Sequence, residues 1–165
     1  MRNISIDDAS DFAINYALVV LERKVKPVLF DDFFRANGER LGKDFAHVEM
    51  LLSYQTMKGK YVFPASDHSE CEAIPEYTNN WSMAEDILGG VEIALMPIPT
   101  HVLGEKLRWS AHYTAPGSKP NWYKSEGHSR ISAMLKCYLK FKLGAEAKIE
   151  VPEDLELPSS RPRLM

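Results

Sequence analysis

The sequence lacks the features that define membrane, exported and metal-bound proteins. Its longest apolar runs, YALVVL and IALMPI, are far shorter than the ~20 residues of a membrane-spanning helix. The two cysteines, Cys71 and Cys137, lie far apart and form no C-x-x-C pair, which favours free thiols in a reducing compartment. Two early aspartates interrupt the start, so we expect no export signal. We also expect no membrane partner, no metal and no cofactor.

The net charge is small but unevenly distributed along the chain. A net charge of −3 argues against binding of nucleic acid by the whole surface. Residues 119–148, however, carry seven Lys or Arg against two acids, a local charge of +5 that leaves −8 for the rest. Positive charge is therefore concentrated in residues 119–148, and the rest of the chain is acidic.

Length and hydrophobic patterning predict one domain of the α+β class. A chain of 165 residues is long enough to bury about two-thirds of its unfolded surface. We expect a single domain over residues 1–157 and a flexible tail over 158–165, where prolines and charges leave little to bury. Alternating apolar residues predict two antiparallel strands, Val91–Met96 and Leu107–Thr114.

An N-terminal and a C-terminal helix are expected to pack this small antiparallel sheet. Helical spacing predicts the first over Asp8–Lys24, with acids at its start and bases at its end. The second covers Ile131–Leu143, because Ser129 is a good N-cap and Gly144 can end the helix. We interpret its lysines as solvating the outer face of a helix that covers the sheet.

Two long polar stretches, Pro64–Asn80 and Ala115–Gly127, are predicted loops. Loops of this length inside a compact domain often carry function. We expect both at the edge of one face of the sheet, which would bring YTNNW (Tyr77–Trp81) near the start of the second helix. The segment Phe45–Met57 fits either a helix or a strand, and we favour a helix.

The start of the second helix combines the features of an anion-binding site. Backbone amides of a first helical turn favour an anion, and cationic side chains cluster here in the sequence. A nearby tryptophan would offer a stacking surface for a base or ring. We therefore predict a site for a small anionic, nucleotide-like ligand, with these ligand-binding residues: Tyr77, Asn80, Trp81, Trp122, Lys124, His128, Ser129 and Arg130.

Potential catalytic groups are present, but none has a distinctive spacing. A nucleophilic pair would join Cys71 or Cys137 to a histidine, the choices being His68, His101, His112 and His128. Cys137 falls in mid-helix beside apolar residues, where a thiol is buried and inert. Acids flank Cys71 and would raise the pKa of its thiol. We predict no catalytic residues and a protein that is not an enzyme, with a hydrolase using a loop-borne His and acid site as an alternative.

The order of the segments resembles that of the NinX-type proteins of tailed phages and prophages, a family of unassigned function. The resemblance rests on DFAINYALVVLE, YTNNW, GGVEIALMPIP, WSA and GHSRISAMLKCYLKFKLGAEAKIEVPEDL. It covers the first helix and residues 77–155, whereas residues 28–75 are an enlargement relative to typical members. Asn80 departs from the family pattern, which has an acidic residue at this position.

The resemblance implies a phage or prophage accessory protein acting in the bacterial cytoplasm, and it supplies no catalytic residues. Together with the basic helix start, it predicts binding of a small anionic ligand or of a host factor, to counter host defence. The alternative is a protein-interaction module, or a homo-oligomer, that docks a host protein. We expect no nucleic acid partner.

Overall fold

The structure is a computed structural model that describes residues 1–29, 61–64, 71–99, 107–114 and 122–153. In chain order its elements are β1 (Arg2–Ser5), α1 (Asp11–Arg23), β2 (Val28–Leu29), β3 (Tyr61–Pro64), β4 (Cys71–Ala73), α2 (Trp81–Leu88), β5 (Ala94–Ile98), β6 (Arg108–Thr114), β7 (Trp122–Gly127), α3 (Arg130–Leu143) and β8 (Lys148–Val151). Short 3₁₀ turns cover Ile6–Asp8 and Tyr77–Asn79. The α+β class, with an N-terminal and a C-terminal helix, is confirmed.

The chain divides into two compact units. The first joins Met1–Ile14 to Glu76–Pro152, and the second joins Asn15–Pro75 to Glu153–Met165. The expected single domain over 1–157 stays a prediction. The expected tail over 158–165 and the helix expected over residues 45–57 lie outside the described residues.

A three-stranded antiparallel sheet, in the order β5-β6-β7, forms the centre of the first unit. Leu95 pairs with Ala111, which pairs in turn with Ser125. Helix α3 packs on β6 and β7, where Ala111 meets Ala133 and Cys137 in a buried cluster. The predicted antiparallel pairing of β5 with β6 is confirmed, and the small residues at this contact let the helix lie close to the sheet.

The loop predicted over Ala115–Gly127 is wrong for residues 122–127, which form strand β7. Buried Ser125 and Gly127 alternate with exposed Lys124 and Glu126, so the period-two pattern of a strand is present. Ser125 and Gly127 are small and not hydrophobic, although Tyr123 on the same side packs against the buried cluster, and the pattern is therefore hard to recognise. The predicted loop Pro64–Asn80 likewise contains β4 and the second 3₁₀ turn.

Helix α3 begins and ends where the sequence predicts. Ser129 Oγ accepts a hydrogen bond from the backbone N–H of Ser132 at 3.0 Å, and Gly144 ends the helix with a φ of 118°. The interpretation of its lysines is wrong for Lys136 and Lys140, which are only 7% and 8% exposed. These two positions are one helical turn apart on the side next to β7, where their ammonium groups reach strand carbonyls.

Helix α1 begins at Asp11 rather than at the predicted Asp8. Ser10 caps it, because the Ser10 Oγ accepts from the backbone N–H of Ala13 at 3.2 Å. Asp8 instead closes a 3₁₀ turn whose N-cap is Ser5. Asp7 and Asp8 therefore lie in the turn before the helix, and Asp11 is its first residue. The sequence also gave no sign of β1, which pairs antiparallel with β8.

The second unit contains the antiparallel sheet β2-β3-β4. The rings of Tyr16 and Tyr61 meet edge to face, with centroids 6.3 Å apart. The guanidinium of Arg23 lies 5.4 Å from the centroid of the buried Phe63 ring and 3.7 Å from the Glu72 carboxylate. These ring contacts and the ion pair fix the end of α1 against β3 and β4.

Gly127 sets the distance between β7 and α3. A Cβ on Gly127 would lie 2.7 Å from the backbone nitrogen of Ala133, so a larger residue must push strand and helix apart. We predict that Gly127→Ala lowers the free energy of unfolding by about 1–3 kcal/mol, measured by urea denaturation. Gly90→Ala is the matched control, because nothing lies within 4 Å of that Cβ, and it should change stability by less than about 0.5 kcal/mol. Equal effects would contradict this role of Gly127.

Candidate functional site

A cleft of about 300 Å³ opens beside β7 in the first unit. Asp7, from the turn before α1, and Arg108, from the start of β6, line it. The remaining lining residues are consecutive in β7: Lys124, Ser125 and Glu126. The described lining is therefore polar and contains charges of both signs.

The Asp7 carboxylate connects the cleft to a buried lysine. Lys140 Nζ lies 2.8 Å from Asp7 Oδ1 and 2.9 Å from Asp7 Oδ2. The same ammonium donates to the carbonyl oxygen of Lys124 at 2.6 Å. The side chain of Lys140 is 11% exposed, whereas that of Asp7 is 58% exposed. An ammonium group beneath the surface is thus neutralised by a carboxylate that reaches it from the cleft.

Lys136 binds the same two segments as Lys140, but its partners are main-chain carbonyl oxygens. Its ammonium donates to the carbonyl oxygen of Asp7 at 3.0 Å and to that of Glu126 at 3.4 Å. Burial lowers the pKa of Lys136, the charge of Asp7 opposes this, and the charge of Arg108 lowers the pKa further. The charges of Asp11 and Asp8 raise the pKa, so Lys136 lies within reach of charges of both signs.

Two cationic side chains of the cleft are open to solvent. Arg108 and Lys124 are exposed on its lining, and an Arg guanidinium can bind two oxygens of a phosphate or carboxylate at once. Behind the lining, Lys140 pairs with Asp7, and the charges of Asp7, Asp11 and Asp8 act on Lys136. The exposed Arg108 and Lys124 suit the anionic group of a small ligand.

The residues predicted at the start of α3 contact partners within the first unit. Ser129 caps the helix. His128 Nε2 lies 3.1 Å from both carboxylate oxygens of Asp11. The Arg130 guanidinium lies 4.6 Å from the centroid of the Trp109 ring, within the range of a cation–π contact. Their role in ligand binding stays a prediction.

The YTNNW segment contributes to the structure beside α3. Tyr77 is 5% exposed, and Asn80 Oδ1 accepts from the backbone N–H of Met83 at 3.1 Å, which caps α2. Trp81, in contrast, is 48% exposed. The 3₁₀ turn and α2 both contact α3. Tyr77 therefore anchors this segment, while Trp81 presents its ring to solvent.

Of the predicted ligand-binding residues, Lys124 lines the cleft. Trp122 begins the same strand and pairs with Thr114. The sequence reasoning missed Asp7, Arg108, Lys136 and Lys140. One signal for the lysines was available, since they follow the small, sheet-facing residues of α3 at helical spacing; the position of Asp7 had no local signal.

Of the groups considered for catalysis, Cys137, His112 and His128 have described side chains, whereas His68 and His101 lie outside the described residues. Cys137 is a buried free cysteine, and burial raises the pKa of its thiol to about 11, so the inert thiol predicted from sequence is confirmed. His112 Nε2 lies 2.8 Å from Ser110 Oγ. Among the described residues, no group of three or more His, Cys, Asp or Glu is arranged to hold a metal. No helix in the described ranges is long and apolar enough to cross a membrane.

No family model, no curated protein and no solved structure matches the chain. The resemblance to the NinX-type proteins therefore stays a prediction. The function is inferred below from the contacts and charges of the first unit.

The contacts of Lys140 predict a large effect of its removal on stability. Lys140→Met should lower the free energy of unfolding by about 1.5–3 kcal/mol, because hydrogen bonds of a charged donor to Asp7 and to β7 are lost. Urea denaturation measures the change.

Lys142→Met is the matched control on the same helix. Lys142 is exposed, and its ammonium lies 5.3 Å from the Phe141 ring centroid, a contact worth about 1 kcal/mol or less. If both substitutions had the same small effect, the buried contacts of Lys140 would not support the fold.

Proposed function

We propose that this chain is a non-catalytic binding protein that takes a small anionic ligand in the cleft beside β7. One observation carries the proposal: Arg108 and Lys124 are exposed together on the lining of a cleft of about 300 Å³, and the Asp7 carboxylate on the same lining is paired with the buried ammonium of Lys140. Arg108 and Lys124 are the side chains that would contact the anionic group, because both are exposed on the lining.

The other side chains of the cleft suit a ligand that also carries hydroxyl groups. Glu126 is an exposed carboxylate on the lining, and carboxylates accept hydrogen bonds from sugar hydroxyls in nucleotide sites. The phosphate of such a ligand would contact the cations of Arg108 and Lys124, and its sugar hydroxyls would donate to the Glu126 carboxylate. A mononucleotide or a sugar phosphate fits this chemistry.

The biological setting is proposed from the resemblance alone. A phage or prophage accessory protein in the bacterial cytoplasm would sequester a nucleotide-like signal and so counter host defence. A host protein with an exposed acidic group is the other partner consistent with the same cations.

Ligand-induced stabilisation tests the binding proposal. Mononucleotides, sugar phosphates and cyclic dinucleotides are screened by thermal shift, and a ligand at 100 times its Kd should stabilise the protein by about 2.7 kcal/mol. Arg108→Met should weaken that ligand about 10-fold or more, because a charge-assisted hydrogen bond is lost.

Lys148→Met provides the control, since it removes an exposed cation from β8. It should leave the affinity within about twofold, because Lys148 does not line the cleft and water screens its charge. If no phosphate ester raises the Tm, or if both substitutions weaken binding equally, the proposed site is wrong.

A hydrolase is the second candidate, and the contact between Ser110 and His112 favours it. A hydroxyl within 2.8 Å of an imidazole nitrogen is the geometry of a nucleophile beside its general base. This candidate predicts that a fluorophosphonate probe phosphonylates Ser110: the Oγ bonds to phosphorus, fluoride leaves, and His112 takes the proton.

Mass spectrometry locates the label. It should be absent from Ser110→Ala and present in Ser82→Ala, which changes an exposed serine of α2. An unlabelled wild-type protein would exclude this candidate, and Ser110 would then be a structural residue, as its 6% exposure also suggests.

A further inference from the structure

The position beside Lys140 is an anion position already filled by the protein. Both carboxylate oxygens of Asp7 lie within 2.9 Å of the Lys140 ammonium, and Asp7 also lines the cleft. Ser125 Oγ adds a third polar group, 3.5 Å from Asp7 Oδ1. An ammonium, a hydroxyl and the open cleft therefore surround one carboxylate.

Lys140 and Asp7 differ in the cost of losing the ion pair, because Lys140 is buried and Asp7 is exposed. The side chain of Lys140 is 11% exposed, so its charge requires a partner whenever the protein is folded. Asp7 is 58% exposed, so its carboxylate can turn to water at low cost in desolvation. An anion entering from the cleft would replace Asp7 without leaving a buried cation unpaired.

The turn that carries Asp7 is held independently of its side chain. Lys136 binds the carbonyl oxygen of Asp7 at 3.0 Å, and Ser5 caps the same turn. The carboxylate can therefore leave Lys140 while the backbone stays in place. A side-chain rotation suffices for the exchange.

We propose that Asp7 is an internal competitor for the anion position of the cleft, and that a phosphate group of the ligand displaces its carboxylate from Lys140. The proposal rests on the proposed function, because it concerns the same cleft and the same class of ligand. It also determines specificity. A phosphate monoester carries about −1.5 to −2 charges at neutral pH and exceeds Asp7 in charge, whereas a carboxylate ligand has no such advantage.

Asp7→Asn tests the competition, because asparagine keeps the shape and an acceptor oxygen but removes the charge. Binding of AMP and of acetate is measured by isothermal titration calorimetry. Asp7→Asn should bind AMP at least about fivefold more tightly than the wild type, the lower end of typical coupling between sites. Acetate, which the wild type should not bind measurably, should bind to this variant.

Asp8→Asn is the matched control. It removes the same charge one residue away, where the carboxylate accepts from Ser5 Oγ at 2.9 Å. It should change AMP affinity by less than about twofold, since no displacement of Asp8 is involved. An equal gain in both variants would show a general effect of charge and overturn the proposal.

The outcomes separate this proposal from the proposed function. If the wild type binds AMP or another phosphate ester at Arg108 but Asp7→Asn binds it no more tightly, the competitor role is wrong and anion binding stands. If neither protein binds any phosphate ester, both proposals are wrong.

A measurement on the wild-type protein covers the case in which Asp7→Asn does not fold. The ¹³C resonance of the Asp7 carboxyl carbon should move on titration with inorganic phosphate, while the backbone amide of Asp7 stays near its starting position. Phosphate binding without a change at the Asp7 carboxyl would overturn the displacement.

Discussion

Two buried ammonium groups hold together the parts of the first unit. Lys136 and Lys140 extend from α3 and donate to the carbonyl oxygens of residues 126 and 124 in β7. The same two side chains bind the carbonyl and the carboxylate of Asp7 in the turn before α1. A buried ammonium requires acceptors for its protons. Helix, strand and N-terminal turn must therefore take the positions that supply those acceptors.

The same contacts also cover backbone carbonyls of β7, which is an edge strand of the described three-stranded sheet. Carbonyl groups at a sheet edge are open to pairing with another chain, and native proteins block such edges. Lys136 and Lys140 occupy the carbonyls of Glu126 and Lys124. At the opposite edge, β5 contains Pro97, which lacks an N–H for pairing.

The sequence predicted the elements whose signals are local. Helix α3 has its cap, apolar residues and terminal glycine within one segment, and β5 and β6 show alternation. Strand β7 escaped prediction because its inward residues Ser125 and Gly127 are small, so hydrophobic alternation is absent. Of the residues predicted to bind a ligand, Lys124 is the one that lines the described cleft. Asp7 and Lys140 are 133 positions apart, and only the fold brings them together.

Stability alone is a weak reason to bury Lys136 and Lys140. Apolar side chains of similar volume often stabilise a fold as well as buried charges do, and burial opposes the charged form of Lys136 strongly enough to lower its pKa. The Asp7 carboxylate and three carbonyl oxygens compensate the two ammonium groups, and the charges of Asp11 and Asp8 also act on Lys136. Arg108 and Lys124 then add two exposed cations on the cleft side. Two exposed cations at an open cleft can contact an incoming anion, and this is the physical basis for proposing that the cleft binds one.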